Sequence, residues 1–377
     1  MSVKNEGNNL VRLGDYIEEV LLKVGEDNQI EISGINLEKG FIPTVADMNG
    51  IDKSKYKLVP SNCFACNLMH IGRDVKIPIA YNISDETIAV SPAYYIFKIK
   101  ENKKNNILGY YLEMLLTRNE FGRLAWFHTD SSIRGNLLIS ELNEILIPLP
   151  DIDIQQELVD TYKGLKALAE QNEALIKPLA EACQAYIVDC KKKYQEVKIG
   201  DFIKVYDVKN VDSSDFPFCG INKEKTFMPT VADTNELDSS KYKIVEKDVF
   251  VFSGMQTGRD VCIRLALYTK SDSILVSPAY TTFVVKDKSQ ILPEFLFIQF
   301  NRFEMDRYGW FLSDGSVRSN LDWSEFCRIY IPKPSIEIQN AIVDLYNCAE
   351  EAKKIANDAR EKMQILCPAL VQKAING

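Results

Sequence analysis

The chain contains one long stretch twice, and that duplication limits its possible folds more than any other feature. Gly34 to Asp47 reads GINLEKGFIPTVAD and Gly220 to Asp233 reads GINKEKTFMPTVAD, with eleven of fourteen positions identical at an offset of 186. The same offset pairs Val11 to Ile17 (VRLGDYI) with Val197 to Ile203 (VKIGDFI), Gly72-Arg73-Asp74 with Gly258-Arg259-Asp260, and VSPAY at Val90 with VSPAY at Val276. Two residues are then lost, and an offset of 184 pairs Trp126-Phe127 with Trp310-Phe311. It also pairs Asp130-x-Ser132-x-Arg134-x-Asn136-Leu137 with Asp314-x-Ser316-x-Arg318-x-Asn320-Leu321, and Ile147-Pro148-x-Pro150 with Ile331-Pro332-x-Pro334. Self-similarity over such a length means that one architecture is built twice.

Each copy has two parts. Short alternating apolar runs such as Lys57-Leu58-Val59 and Ile274-Leu275-Val276 read as strands, with loops rich in Gly, Asp, Asn and Ser between them. Helical spacing covers Tyr110 to Asn119 and Glu294 to Phe303. After each I-P-x-P the pattern turns into one long helix, since proline is tolerated at a first helical turn. A heptad frame on the first helix puts Leu158, Leu165, Asn172, Leu179 and Tyr186 at a, and Thr161, Leu168, Leu175 and Ala182 at d. On the second it puts Ile342, Ala349, Ala356, Met363 and Leu370 at a, and Leu345, Ala352, Ala359 and Leu366 at d. A Leu-rich seam facing an Ala-rich one interdigitates, so the two helices are expected to pair, near Asn172 against Ala352 and Ala356. The alternative is that each packs on its own domain. The expected fold is α+β: two similar α/β domains at 1–150 and 196–334, and two helical regions at 151–195 and 335–377 that form an antiparallel coiled coil.

Bulk properties narrow the function. No run approaches the 18 to 20 apolar residues of a membrane span, and the N-terminus has no apolar signal core, so a cytoplasmic protein is expected. Nine scattered cysteines in such a chain read as reduced thiols. The net charge of −8 argues against generic DNA coating, which needs phosphate neutralisation, but leaves room for local basic patches.

Most candidate chemistry fails against the repeat. Cys63-x-x-Cys66 with His70 invites a zinc reading, yet the matching residues are Val249, Phe252 and Gln256, so the cysteines read as buried hydrophobes. Ser91-Pro92-Ala93-Tyr94 and its copy at Ser277 superficially resemble an amino-methyltransferase motif, but alanine holds the third position, and a turn entering a strand is the better reading. There is no phosphate-binding G-x-x-x-x-G-K loop. The two histidines, His70 and His128, are not duplicated, so no catalytic triad repeats in both domains. No metal, cofactor or catalytic residue is therefore expected.

The duplicated polar residues that remain are Arg73 and Arg259, with Ser132, Arg134 and Asn136 matched by Ser316, Arg318 and Asn320. Arginine forks suit guanine or phosphate, while serine and asparagine suit phosphate or base edges. The structural alternatives are a salt bridge within Arg-Asp, and loop or helix capping by Ser and Asn. Between the copies the segment before Gly-Arg-Asp differs most: Asn67 to Ile71 against Ser253 to Thr257. His70, Gln256 and Thr257 therefore join the candidate DNA contacts, and Gln256 has the groups to grip adenine at N6 and N7.

Taken together, the duplicated V-[RK]-[LI]-G-D openings, the Val249 to Asp260 segment and the I-P-[LK]-P-x-I-x-I-Q closings resemble the specificity subunits of type I restriction-modification systems. Such subunits usually carry I-P-x-P-x-x-E-Q, where this chain has Ile154-Gln155-Gln156 and Ile338-Gln339-Asn340. The resemblance implies two target recognition domains, each reading half of a bipartite site in double-stranded DNA. It implies a helical ruler that docks two methyltransferase subunits, with restriction/translocase subunits as further partners. S-adenosylmethionine, ATP and Mg would then belong to the partners, and this chain would not be an enzyme. The alternatives are a partner that fuses methyltransferase and nuclease, a self-sufficient DNA methyltransferase, and a scaffold that binds protein only.

Overall fold

The computed structural model describes residues 10–25, 30–36, 39–44, 50–69, 71, 77–130, 135–230 and 237–376, with side chains as far as 365. In the first half the strands are β1 (Leu10–Arg12), β2 (Ile17–Glu19), β3 (Ile32–Ile35), β4 (Phe41–Pro43), β5 (Lys57–Val59), β6 (Cys63–Asn67), β7 (Ile79–Tyr81), β8 (Ile88–Val90), β9 (Tyr94–Ile99) and β10 (Leu146–Pro148). Among them come the helices α1 (Gly109–Leu116), α2 (Asn119–Phe127) and α3 (Ile139–Glu144), and then the long α4 (Ile152–Lys193). The second half repeats the strands as β11 (Glu196–Lys198), β12 (Ile203–Val205), β13 (Phe218–Ile221), β14 (Phe227–Pro229), β15 (Lys243–Val245), β16 (Phe250–Ser253), β17 (Arg264–Leu267), β18 (Ile274–Val276), β19 (Thr281–Val285) and β20 (Tyr330–Pro332). Its helices are α5 (Thr257–Asp260), α6 (Pro293–Phe300), α7 (Phe303–Leu312), α8 (Trp323–Cys327) and the long α9 (Ile336–Asn376). The helices expected at Tyr110 to Asn119 and Glu294 to Phe303 are α1 and α6, ended by the polar turns at Thr117-Arg118 and Asn301-Arg302, and a second helix, not expected, follows each.

Among the described residues each domain has three sheets with the same strand order. The first has β2-β9-β6-β7, β4-β3-β8-β5 and β1-β10; the second has β12-β19-β16-β17, β14-β13-β18-β15 and β11-β20. All neighbours are antiparallel except β3 with β8 and β13 with β18. Strand alternation sorts the core into layers. Phe64 and Cys66 of β6 point to the helices, while Cys63 and Ala65 point to the second sheet. Phe250 and Phe252 against Val249 and Val251 repeat that split. Stacked rings mark the same spot twice: Phe64 on Phe97 at 5.0 Å, and Phe250 on Phe283 at 4.7 Å. Fully burying each of these rings stabilises by roughly 1.5–3 kcal/mol. The two thiols of Cys63-x-x-Cys66 lie in different cores, so they do not converge on a metal, and burial pushes both thiols up.

Two buried polar devices, missed in the sequence, lock the helices to the sheets. Gln155 is fully buried: its Oε1 accepts from Leu108 N–H (3.0 Å), and its Nε2 donates to the carbonyls of Asn106 and Pro150 (both 2.8 Å). Gln339 does the same with Leu292 N–H (2.9 Å) and the carbonyls of Gln290 (2.8 Å) and Pro334 (3.0 Å). The glutamine in each I-x-I-Q therefore clamps a long helix to the start of α1 or α6. The second device is the repeated lysine in G-I-N-x-E-K. Lys39 donates to the carbonyl of Leu116 (3.1 Å) at the end of α1, and Lys225 to that of Phe300 at the end of α6, where a cation complements the helix dipole. Both lysines adopt a left-handed backbone conformation to reach, with φ of 66° and 60°.

The chain divides into two compact units: Met1–Gln171 together with Ile355–Gly377, and Asn172–Lys354. Each unit takes one part of α4 and the opposite part of α9, the assignment that an antiparallel pair requires. In the second unit Cys183, Ile187 and Cys190 share a core with Ile342 and Val343. The seam of α9 is the expected one as far as Met363, with Ile342, Ala349, Ala352, Ala356 and Ala359 buried and Leu345 and Met363 half-buried; the side chains of Leu366 and Leu370 lie outside the described residues. That of α4 needs correcting. Its a positions Leu158, Leu165, Asn172 and Leu179 are turned in, but Tyr186 is exposed and the other row lies one residue later than expected, at Tyr162, Ala169, Ile176 and Cys183. Thr161, Leu168 and Leu175 are exposed. Among the described residues no helix is long and apolar enough to cross a membrane.

Candidate nucleic-acid interface

The candidate loops of the second domain are built on one another. β16 ends at Ser253, and Gly254 follows where a Cβ would lie 2.0 Å from the carbonyl oxygen of Leu321, so only glycine fits. That contact is the approach of the second loop: Leu321 N–H donates to Gly254 O at 2.8 Å, and Gly258 N–H donates to Ser319 O at 2.9 Å. Asn320 completes the junction by accepting Gln256 N–H on its Oδ1 at 3.0 Å. Gln256 (φ 60°), Val261 (φ 47°) and Ser319 (φ 49°) all stand in the left-handed region, which non-glycine residues enter at a cost. Strain gathered in this way is a mark of functional loops.

The Asp-x-Ser-x-Arg-x-Asn segment is closed by its aspartate. Asp314 Oδ1 accepts from Ser316 N–H (3.1 Å), Ser316 Oγ (2.6 Å) and Asn320 N–H (3.0 Å). The Ser316 and Asn320 bonds hold its carboxyl below the ordinary aspartate value. In the first domain Asp130 likewise accepts Asn136 N–H at 3.0 Å, and Leu137 N–H donates to Leu68 O at 2.9 Å.

Around α5, charge is concentrated on one carboxylate. Asp260, 5% exposed, meets Arg259 Nε at 3.2 Å, Lys223 Nζ at 3.3 Å and the Arg264 guanidinium. Burial pushes its carboxyl up, but the bonds from Arg259, Lys223 and Arg264 outweigh that and hold it below its usual value. Arg259 Nη2 also donates to Gln256 Oε1 at 2.7 Å, leaving an arginine that is pinned twice yet 58% exposed.

The expected contact residues separate accordingly. Gln256 is half-exposed, Arg259 and Arg318 are exposed, and Arg318 makes no bond with any described residue. Thr257 is fully buried with its hydroxyl on Gly254 O (3.1 Å), so its side chain is part of the loop's interior and not its surface. Ser316 and Asn320 hold the loops together, which is the capping alternative, and the Arg259–Asp260 pair is indeed a salt bridge. Asn136 has the backbone place of Asn320. His70, Arg73, Ser132 and Arg134 lie outside the described residues. Sequence reasoning passed over the helices before these loops. Trp126 and Phe127 are 47% and 81% exposed, and Trp310 and Phe311 are 54% and 80% exposed. Trp310 reaches the α5 turn, its Cδ1 lying 3.1 Å from where a Cβ on Gly258 would stand. Their signal was already present as a duplicated pair that the core does not need.

Residues 191–349 match the family described as "Type I restriction modification DNA specificity domain". Those residues, and not the whole chain, are similar to a type I restriction-modification DNA specificity domain. The matched residues include β11–β20, whose strand order the first half repeats. The type I restriction-modification system S subunit from M. genitalium is 14% identical, with a TM-score of 0.62 over 100% of this chain and 98% of its own. The HsdS subunit from Thermoanaerobacter tengcongensis is also 14% identical, with a TM-score of 0.39 over 99% of this chain and 97% of its own. No curated protein matches the chain. The family match concerns residues 191–349, and the likeness to the M. genitalium S subunit extends to the fold of the whole chain.

Proposed function

We propose that the chain is the non-catalytic reading subunit of a DNA-modifying complex, with each domain contacting one half of a bipartite double-stranded site. The observation that carries this reading is the duplication itself. One fold occurs twice in one chain, the matched specificity domain is one copy, and loops Gln256–Asp260 and Asp314–Asn320 meet at one surface of that copy. Two similar domains in one chain suit two half-sites of one duplex.

Two methyltransferase subunits are the partners this arrangement fits, with restriction/translocase subunits beyond them. The chemistry would be theirs: S-adenosylmethionine for methyl transfer, ATP and Mg for translocation. The net charge of −8 is compatible with that division, because partners would share the phosphate contacts. The test is to purify the chain alone and with a co-expressed modification subunit, and to map methylated sites. Alone, the chain should transfer no methyl group; together, the pair should methylate a motif in two separated parts. Transfer by the chain alone, or an unbroken motif, rejects the proposal.

A further inference from the structure

We infer that Gln256 and Arg259 form a donor-rich head that reads a guanine in the half-site of the second domain; this rests on the DNA-reading role proposed above. A glutamine amide offers one acceptor and two donors, and an arginine offers donors only. The atom of Gln256 that faces the guanidinium must therefore be its carbonyl oxygen, as found: Arg259 Nη2 donates to Gln256 Oε1 at 2.7 Å. The fork to adenine, expected from the residue type, needs that same oxygen to accept from adenine N6 as well, and the guanidinium already occupies one of its two lone pairs. The groups the pair offers in greatest number are the Nε2 hydrogens of Gln256 and the unused N–H groups of Arg259. Guanine shows two acceptors in the major groove, O6 and N7, and is the base whose edge a pair of donors matches.

Both residues are fixed before any ligand arrives. Gln256 is held at its backbone by Asn320 Oδ1 and in a left-handed conformation, and Arg259 is held at Nε by Asp260. Asp260 is in turn tied to Lys223 and Arg264, so Arg259 need not neutralise it alone. A head fixed in this way loses little freedom on binding.

The experiment sequences the DNA selected from a random library by the full chain, alone and with its co-expressed modification subunit. The wild type should select guanine at one position of one half-site. Gln256→Glu keeps the shape and the bond from Arg259 but removes the Nε2 donors, and Arg259→Lys removes the fork. Each should relax that position roughly 5- to 150-fold and leave the other half-site unchanged. Thermal unfolding close to wild type would show that both variants are folded. Adenine at the position that relaxes, or an unchanged motif in both variants, overturns the guanine assignment alone. Failure of the wild type to select any sequence overturns the DNA-reading role and this inference with it.

Discussion

The two domains have the same strands in the same order, but they are not equally tied together by charge. In the second, Lys225 is buried and bonded to both carboxylate oxygens of Asp306, at 2.8 and 2.9 Å, and Asp306 also accepts Ile263 N–H at 2.9 Å. In the first, Gly122 stands where Asp306 would, and Lys39 caps its helix without that carboxylate. The knot on Asp260 differs in the same way, since the counterparts of Lys223 and Arg264 are Leu37 and Pro78. What the copies share is architecture: the lysine cap, the glutamine clamp and the aspartate-closed loop. What they do not share lies around the candidate loops, where two reading heads with one framework would have to differ.

The largest test of that contrast is the lysine pair. Lys225→Ala strands a largely buried carboxylate and should cost about 3–5 kcal/mol. Lys39→Ala removes the bonds to the carbonyls of Leu116 and Arg118, has no counterpart of Asp306 to strand, and should cost less, about 1 kcal/mol. Urea unfolding of the full-length variants measures both; equal losses would remove the carboxylate as the difference between the domains. Next come the clamps, where the comparison predicts sameness. Gln155→Ala and Gln339→Ala each orphan a buried N–H and two carbonyls, and should destabilise by a similar amount, about 2–3 kcal/mol. Hydrogen exchange at Leu108 and Leu292 would show it, and protection lost in one domain alone would break the equivalence.

A smaller effect is expected from Asn320→Ala, which frees Gln256 N–H at the cost of one bond, about 1 kcal/mol. Amide exchange at Gln256 should quicken while the β16 amides keep their protection; an unchanged rate would mean that the junction does not hold the loop. The smallest effect is on pH. Asp260 is depressed in the folded chain, so the stability it contributes is complete above the unfolded value near 3.9 and is lost as pH falls through the lower folded value. Asp260→Asn should therefore destabilise at neutral pH, and its gap from wild type should close below about pH 4. Asp74→Asn should show a weaker dependence, because the sequence has Leu37 and Pro78 at the positions of Lys223 and Arg264.

Much of the fold could be read in the chain because the repeat carries it: strands, closing prolines and long helices recur at fixed offsets. The seam of α9 was legible because its alanines leave one choice. That of α4 was not, because Leu168 beside Ala169, and Leu175 beside Ile176, satisfy a heptad in either of two registers. Which row turns inward depends on where the partner helix lies, and that is a tertiary fact. At the candidate site the residue types were visible, but their division of labour was not. Nothing in S-V-R-S-N says that Asn320 spends its carbonyl on Gln256, or that Thr257 is buried. Those assignments depend on two loops meeting at Gly254 and Leu321, 67 residues apart.

The partition of the chain into units has a consequence for how it is made. Asn172–Lys354 is a single uninterrupted stretch, whereas the other unit is assembled from the first 171 residues and the last 23, beginning at Ile355. On the ribosome, the part translated second can therefore be completed first. The opening domain can pair β1 with β10 early, but the exposed face of the first part of α4 must wait for the end of α9. At about 5–20 residues per second, the 206 residues after Gln171 take on the order of 10–40 s. For that interval the first part of α4 lacks the segment that completes its unit, so a nascent chain stalled before Ile355 is where this protein should be most prone to aggregate or to engage a chaperone.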